Sequence, residues 1–435
     1  MEWIPSIVFI AVLAVASFLF YKNVNKIRRN INLGKDVDRT DRSAERWKTM
    51  WKVAFGQSKM QARPIPAFLH LIVYAGFLLI NIEVLEIVID GIFGTHRVLA
   101  APLGSFYNVV IGFFEILAVL VIVACVVFWY RRNVMKLDRF NKPEMKGWAF
   151  KDANNILYIE ITLMLALLIM NTAEANFIGG HGFIISNALA PLFSGMEQQT
   201  LHFLERFFWW LHILGILAFL NYLPFSKHFH IILAFPNTWY SNLNAKGRFE
   251  NMKSVTDEVK MMMDPNVDPF AAPPEGAEMK EPERFGAKDV TDLNWVNLMN
   301  AYTCTECGRC TDNCPANKTG KKLSPRKIMM DTRDRVEEIG AIIDKEGEFK
   351  DDGKSLLDGY ITREELWACT TCNACTDACP VNIDPLSIIM QMRQYLVMEE
   401  SAAPQELNIM MTNVENNGAP WQFNQMDRLN WKDEM

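Results

Sequence analysis

The chain has 435 residues, enough for two or three domains, and its mean hydropathy of +0.03 averages over two unlike halves. Residues 1–230 carry 22 Lys+Arg against 16 Asp+Glu, net +6, whereas residues 231–435 carry 22 against 34, net −12, which argues against a nucleic-acid-binding module with its basic footprint. All seven His lie in the first half and eight of nine Cys in the second, a segregation that points to two different metal chemistries on one chain.

Five apolar runs, roughly Ile4–Tyr21, Phe68–Ile89, Tyr107–Tyr130, Ile156–Ala173 and Leu201–Leu223, are each near the length of about 20 residues needed to cross a bilayer. The first lacks a basic stretch before it and a small-residue cleavage site after it, so it reads as a retained helix rather than a signal peptide. The connecting segments differ sharply in charge. Lys22–Arg63 holds twelve Lys/Arg and Arg131–Lys151 holds seven, against one (Arg97) and none in the two opposite loops. The chain's expected location is the bacterial cytoplasmic (inner) membrane, multi-pass, with the two basic loops placed in the cytoplasm by the positive-inside rule. Its N-terminus is expected outside and everything after Ser226 in the cytoplasm.

Several polar groups fall at membrane depth: Glu83, Glu86, Glu115, Glu160, Glu205, Arg206 and Asn171. Ionisable groups there are costly and usually face a cofactor, a cavity or one another. Glu115, well inside its run, is the expected proton-handling carboxylate. Glu205–Arg206 reads equally well as an interfacial anchor. Cys125, in the third run, reads as a small buried apolar residue.

Among the histidines, His70 opens the second helix near the cytoplasmic side. His212 lies in the fifth, within Trp209-Trp210-Leu211-His212, and His228 and His230 follow in Pro224-Phe225-Ser226-Lys227-His228-Phe229-His230. On a continuous helix His212 and His230 would share a face roughly 27 Å apart, a geometry that Pro224 would disturb. His70 and His230 match in depth and are expected to ligate one b-type haem between them, with Arg63 and Lys227 as propionate partners. A second haem would need a partner for His212; His181 and His202 lie toward the outer surface.

The segment Met261–Lys288 is rich in Pro and Met and reads as a linker. Two complete C-x2-C-x2-C-x3-C-P runs follow: Cys304, Cys307, Cys310, Cys314 and Cys369, Cys372, Cys375, Cys379. Such paired runs bind two cubane clusters, and the fourth Cys of each run ligates the other cluster. The expected ligand sets are Cys304, Cys307, Cys310 and Cys379 for one [4Fe–4S] cluster, and Cys369, Cys372, Cys375 and Cys314 for the other. Structural zinc favours short pairs of ligands, and a reducing cytoplasm disfavours disulfides. Helical periodicity over Ser324–Gly340 and Leu386–Val397, with a charged hairpin-like loop at Glu346–Lys354, makes this an α-helical ferredoxin.

Helices one to five resemble the nitrate reductase gamma-subunit family, which carries b haems on its second and fifth membrane helices. The segments Trp209–His212 and Pro224–His230 carry the likeness. The second half resembles the dicluster domain of heterodisulfide-reductase-like iron–sulfur subunits. Joined, they are similar to membrane iron–sulfur proteins that link quinone to soluble partners, including electron-transfer-flavoprotein:menaquinone oxidoreductases. Two departures stand out. Two-haem relatives use two ligands on helix two, where only His70 is available here. Many relatives also continue into Cys-Cys-Gly repeats, while this chain has no adjacent Cys pair.

The expected architecture is mainly α: a five-helix transmembrane bundle followed by a cytoplasmic α-helical dicluster ferredoxin domain. Its parts are a haem b and quinone domain over 1–230, a linker over 231–290, the cluster domain over 291–400, and a tail over 401–435 for partner contact. The resemblance implies an oxidoreductase subunit passing electrons between a cytoplasmic partner and menaquinone or another quinone. The partner would be an electron-transfer flavoprotein or a Cys-Cys-Gly-repeat subunit. The alternatives are a quinol-oxidising subunit of a heterodisulfide-reductase-like complex and a redox-sensing membrane protein without turnover.

Overall fold

In the computed structural model, which describes residues 3–178, 182–249, 251–268 and 284–434, the chain is helical. Among the described residues no strand forms; two isolated β-bridges link Lys35 with Asn294 and Leu357 with Ile361. The five apolar runs become α1 (Ile4–Ile31), α2 (Pro64–Phe93), α3 (Ser105–Asn133), α4 (Trp148–Ile178) and α5 (Gln198–Tyr222). All are long and apolar enough to cross a membrane. Pro64 opens α2, where its missing N–H costs nothing, and Gly94 closes it at φ +68°, a conformation a Cβ would oppose.

The helices pack in sequence and α5 returns to α1, closing a ring. Ile111, Phe114, Ala118, Val121 and Cys125 of α3 and Leu163, Leu167 and Met170 of α4 are buried in one hydrophobic core, with Val121 against Gly76 of α2 and Leu163 against Gly215 of α5. Phe18, Ile82, Val109 and Phe203 point outward, as a lipid-facing surface requires.

Helix α5 does not continue to His230. It gives way to a 3-10 turn at Leu223–Phe225, an extended residue at Ser226, and a second 3-10 turn at Lys227–Phe229. The straight-helix spacing of His212 and His230 is therefore replaced by a break, in the segment that contains Pro224. A new helix, α6 (His230–Trp239), then packs on α7 (Trp295–Thr303). Asn237 of α6 donates to the Val381 carbonyl at 2.7 Å and accepts from Asn300 at 3.0 Å. Residues 231–239 are thus part of the cluster domain's packing, where a linker is expected from sequence. The Pro-rich centre of that linker, 269–283, lies outside the described residues.

The cluster domain also contains α8 (Pro325–Glu346) and α9 (Pro385–Met398). Ser324 caps α8 by accepting from Lys327 N–H, and Gly347 at φ +88° ends it. Nothing before Gly347 stops the helix, so it outruns its expected end at Gly340. Beyond α9, the helix Gln405–Asn417 and the turn Gln425–Lys432 leave Trp421, Phe423, Met426 and Trp431 exposed.

Bundle and cluster domain are tied together. Helix α1 runs ten residues past its expected end and lays Lys26, Arg29 and Asn30 against the cluster domain. Lys26 and Arg29 reach Asp344 at 2.6 and 2.5 Å, and Asn30 donates to the Tyr302 hydroxyl at 2.9 Å. The approach requires glycine at 340, where a Cβ would stand 2.5 Å from Asn30 Nδ2.

Candidate metal centres

Each cysteine run folds as a tight loop followed by one helical turn. In the first, Glu306 at φ +54° and Gly308 at φ +73° turn the chain between ligands, before the short helix Arg309–Asn313. In the second, Thr371 at φ +56° and Asn373 at φ +60° do the same before Ala374–Ala378. The two short helices pack on one another, which carries the last Cys of each run to the other's loop. Cys304, Cys307, Cys310 and Cys379 consequently line one cavity, and Cys314, Cys369, Cys372 and Cys375 line the second.

Backbone N–H groups already point at sulfur: Ile383 N–H at Cys379 (3.3 Å) and Thr371 N–H at Cys369 (3.4 Å). Burial pushes the Cys304 and Cys375 thiols up to about 12, so bare thiolates are disfavoured there and a cationic metal is the natural counter-charge. Donor chemistry and enclosure fit iron–sulfur clusters.

On the bundle side, His70 and His230 face each other with ring centroids 6.5 Å apart. Two metal–imidazole bonds of about 2 Å plus the intervening half-rings span a gap of this size. Each ring commits Nδ1 elsewhere, His70 to Gln57 Oε1 (3.2 Å) and His230 to the Lys227 carbonyl (3.0 Å), leaving Nε2 for a ligand. That is how metal-binding imidazoles are oriented. His228 instead stacks on Phe219 at 5.3 Å. His212 bonds the Leu163 carbonyl through Nδ1 (2.9 Å), and its Nε2 is buried without a partner. His202 packs at a tilt against Phe177, ring centroids 4.0 Å apart, and His181 lies outside the described residues.

The expected propionate partners have other occupations. Arg63 pairs with Asp312 of the first cluster run at 2.8 Å. Lys227 is buried against Glu306 and the Ala149 carbonyl. Glu115 is also engaged: Ile185 N–H (2.8 Å), Ser186 N–H (3.2 Å), the Ser186 hydroxyl and Asn171 all donate to it. It fastens the Ile185–Leu189 turn to α3.

Two residues not singled out from sequence organise these sites. Glu306, between two cluster cysteines, is 3% exposed and held by Lys227 and by Arg333 at 2.8 Å. Burial pushes its carboxyl up, but the Lys227 and Arg333 charges outweigh that and hold it below the usual range. Lys59 donates to the Thr376 carbonyl (3.1 Å) and Asn382 (2.9 Å), and its own carbonyl accepts from Arg309. The segment beside His70 is thereby clamped between both cysteine runs. The available signal was position: an acidic residue inside a ligand run, and a basic one just ahead of the ligand helix.

Residues 303–383 match the family model described as a 4Fe-4S dicluster domain. The whole chain is similar to the "Probable iron-sulfur-binding oxidoreductase FadF" of Bacillus subtilis, 30% identical over 99% of this chain and 61% of that protein. It is also similar to the "EtfAB:quinone oxidoreductase" of Syntrophomonas wolfei, 25% identical over 100% of this chain and 60% of that one. Part of it resembles one subunit of the dihydromethanophenazine:CoB–CoM heterodisulfide reductase of Methanosarcina mazei, 27% identical over 33% of this chain and 35% of that subunit. The chain spans about 60% of the length of the first two relatives. No solved structure matches. An iron–sulfur dicluster domain therefore follows a five-helix membrane bundle in this chain, and its relatives are oxidoreductases.

Proposed function

We propose that this chain is a membrane electron-transfer subunit of an oxidoreductase. It connects a cytoplasmic redox partner with the menaquinone or quinone pool, using two [4Fe–4S] clusters and a b haem as carriers. The carrying observation is a continuous contact path. Glu306 of the first cysteine run pairs with Lys227, and the Lys227 carbonyl orients His230 opposite His70. Clusters and haem supply one-electron steps when bound. The protein's part is to seat them, fix the imidazole tautomers and exclude water between the two centres. Cys372 is the exposed cysteine of the second cavity, which favours that side for the soluble partner. The cluster domain then faces the cytoplasm, as the basic loops Lys22–Arg63 and Arg131–Lys151 require.

By similarity to a protein named EtfAB:quinone oxidoreductase, the preferred partner is an electron-transfer flavoprotein. The likeness to a heterodisulfide reductase subunit supports the second reading, quinol oxidation that feeds a Cys-Cys-Gly-repeat chain. His212, with its unpartnered Nε2, is the residue available for a second haem.

An optical and EPR redox titration of the purified full chain tests this. It should show two cubane signals and a low-spin b haem that exchange electrons with a quinol. His70→Ala or His230→Ala should abolish the haem and leave both clusters, whereas His228→Ala should keep it. Cys314→Ser should damage the cluster of the second run and Cys379→Ser that of the first. Absence of haem absorbance, or loss of only the local run's cluster in the Cys variants, would overturn the corresponding assignment.

A further inference from the structure

At the end of the bundle opposite the cluster domain, α1, α2, α4 and α5 enclose a cavity of about 360 Å³. That is room for on the order of ten waters at about 30 Å³ each. Its polar wall is organised by Arg97, which follows α2. Arg97 binds Glu174 through two nitrogens, at 2.8 and 2.6 Å, and donates to Asn171 (2.9 Å) and the Tyr107 hydroxyl (3.0 Å). Tyr107 in turn donates to Glu86 at 2.8 Å, and Asp90 accepts from Thr95 and the Arg97 N–H. Glu205 accepts from the neighbouring Arg206. Every one of these carboxylates has a donor.

Glu83 differs. It lines the same cavity and is 3% exposed, and its Oε1 has no hydrogen-bond partner, with the nearest cation, Arg97 Nη1, at 3.8 Å. A charge so placed is steadied by Arg97 but not pinned by a hydrogen bond. Among the described residues it is the one carboxylate in the cavity wall with an oxygen that has no partner. Phe9, Trp209 and Trp210 close the cavity with aromatic surface.

We infer that this cavity is a proton port: water entering from the face opposite the clusters reaches Glu83, whose open oxygen takes up and returns a proton. The step moves a proton only. It leaves a cavity water for Glu83 Oε1 and goes back by the same route or onward to redox chemistry inside the bundle, with no electron transferred to or from the protein. The groups that bear on Glu83 come from each packed element: Glu86 and Asp90 of α2, His96 and Arg97 of the following loop, Tyr107 and Glu115 of α3, Glu174 of α4, and Glu205 with Arg206 of α5. Among the described residues, α1 contributes Pro5, Ser6 and Phe9 to the wall and no charge.

The test uses the full chain in sealed vesicles, with dicyclohexylcarbodiimide as a probe that modifies protonated carboxyl groups in apolar surroundings, and peptide mass spectrometry as the readout. Modification at Glu83 should follow the pH of the compartment opposite the clusters, falling by about tenfold per pH unit on the basic side of its titration. It should be absent in Glu83→Gln. Modification that follows the cluster-side pH, or no modification at Glu83 at any pH, overturns the port. A parallel assay follows quinone-linked electron transfer, whose dependence on the opposite-side pH should disappear in Glu83→Gln. Wild-type protein inert toward quinone would sink the proposed function and leave the labelling result to decide the port.

Discussion

The two ends of the membrane bundle both bury charge, and they resolve it in opposite ways. At the cluster end, three cations find an acid across the domain boundary: Lys227 with Glu306, Arg326 with Glu144 at 2.7 Å, Arg63 with Asp312. These pairs are local, and each joins bundle to cluster domain. At the opposite end Arg97 bridges Glu174, Asn171 and Tyr107, with Arg206 on Glu205 beside it, while Glu83 keeps an open oxygen. Distributed pairing fixes the orientation of two domains, because each pair satisfies donors and acceptors that would otherwise be stranded. Concentrating most of the contacts on Arg97 leaves an acid-rich chamber in which an oxygen of Glu83 has no partner.

Removing the hub should have the largest effect. Arg97→Met leaves several buried acids without their cation, at a cost of about 3–5 kcal/mol or more. The purified protein should be polydisperse on size exclusion, with a sharply lower melting temperature; an unchanged melt would show that the acids are neutral without it. At the cluster end Lys227→Met should cost less, about 3 kcal/mol, since Arg333 still holds Glu306. Iron release should begin at a lower temperature, and adding Glu306→Gln should recover part of the loss. If the double variant is no better than the single, the pair is not coupled.

Acid should loosen the cluster end next. Hydrogen bonds from Lys26 and Arg29 hold Asp344 below the usual carboxylate range. Burial pushes Glu144 up, but the Arg326 hydrogen bond and charge prevail and leave it depressed as well. Depressed carboxylates contribute fully above the unfolded value of about 4 and lose that contribution as pH falls through the lower folded values. Amide exchange in the last turns of α8 should therefore rise as pH drops below about 4, and exchange indifferent to pH there would count against this docking role. The smallest effect is expected from Glu83→Gln, under about 1 kcal/mol, because no hydrogen bond to Oε1 is lost. A large drop in melting temperature would mean that Glu83 is a structural partner of Arg97.

Much of this was legible in the chain itself. The five apolar runs and the two cysteine runs specify bundle and dicluster domain without any knowledge of packing, because membrane length and ligand spacing are local properties. That His70 and His230 come to lie close together was also readable from depth. What the sequence hid was where each helix stops. Helix α1 reads as ending near Tyr21 because apolarity ends there, yet it continues to Ile31 as polar side chains gain partners on the cluster domain. Residues 231–239 read as the start of a linker and fold as α6, since Asn237 and Asn300 satisfy each other only once α7 is in place.

By itself, then, the sequence determined which residues enter lipid and which sulfurs belong together, since burial in a bilayer and short ligand spacing are settled within one segment. Tertiary structure alone decided the roles of single charges. Arg63 and Lys227 pair with cluster-domain acids, Glu115 is spent on a turn, and Glu83 faces a cavity with an oxygen unused. A charged side chain is defined by the partner it meets, and those of Arg63, Lys227 and Glu115 lie from 56 to 249 residues away in the chain.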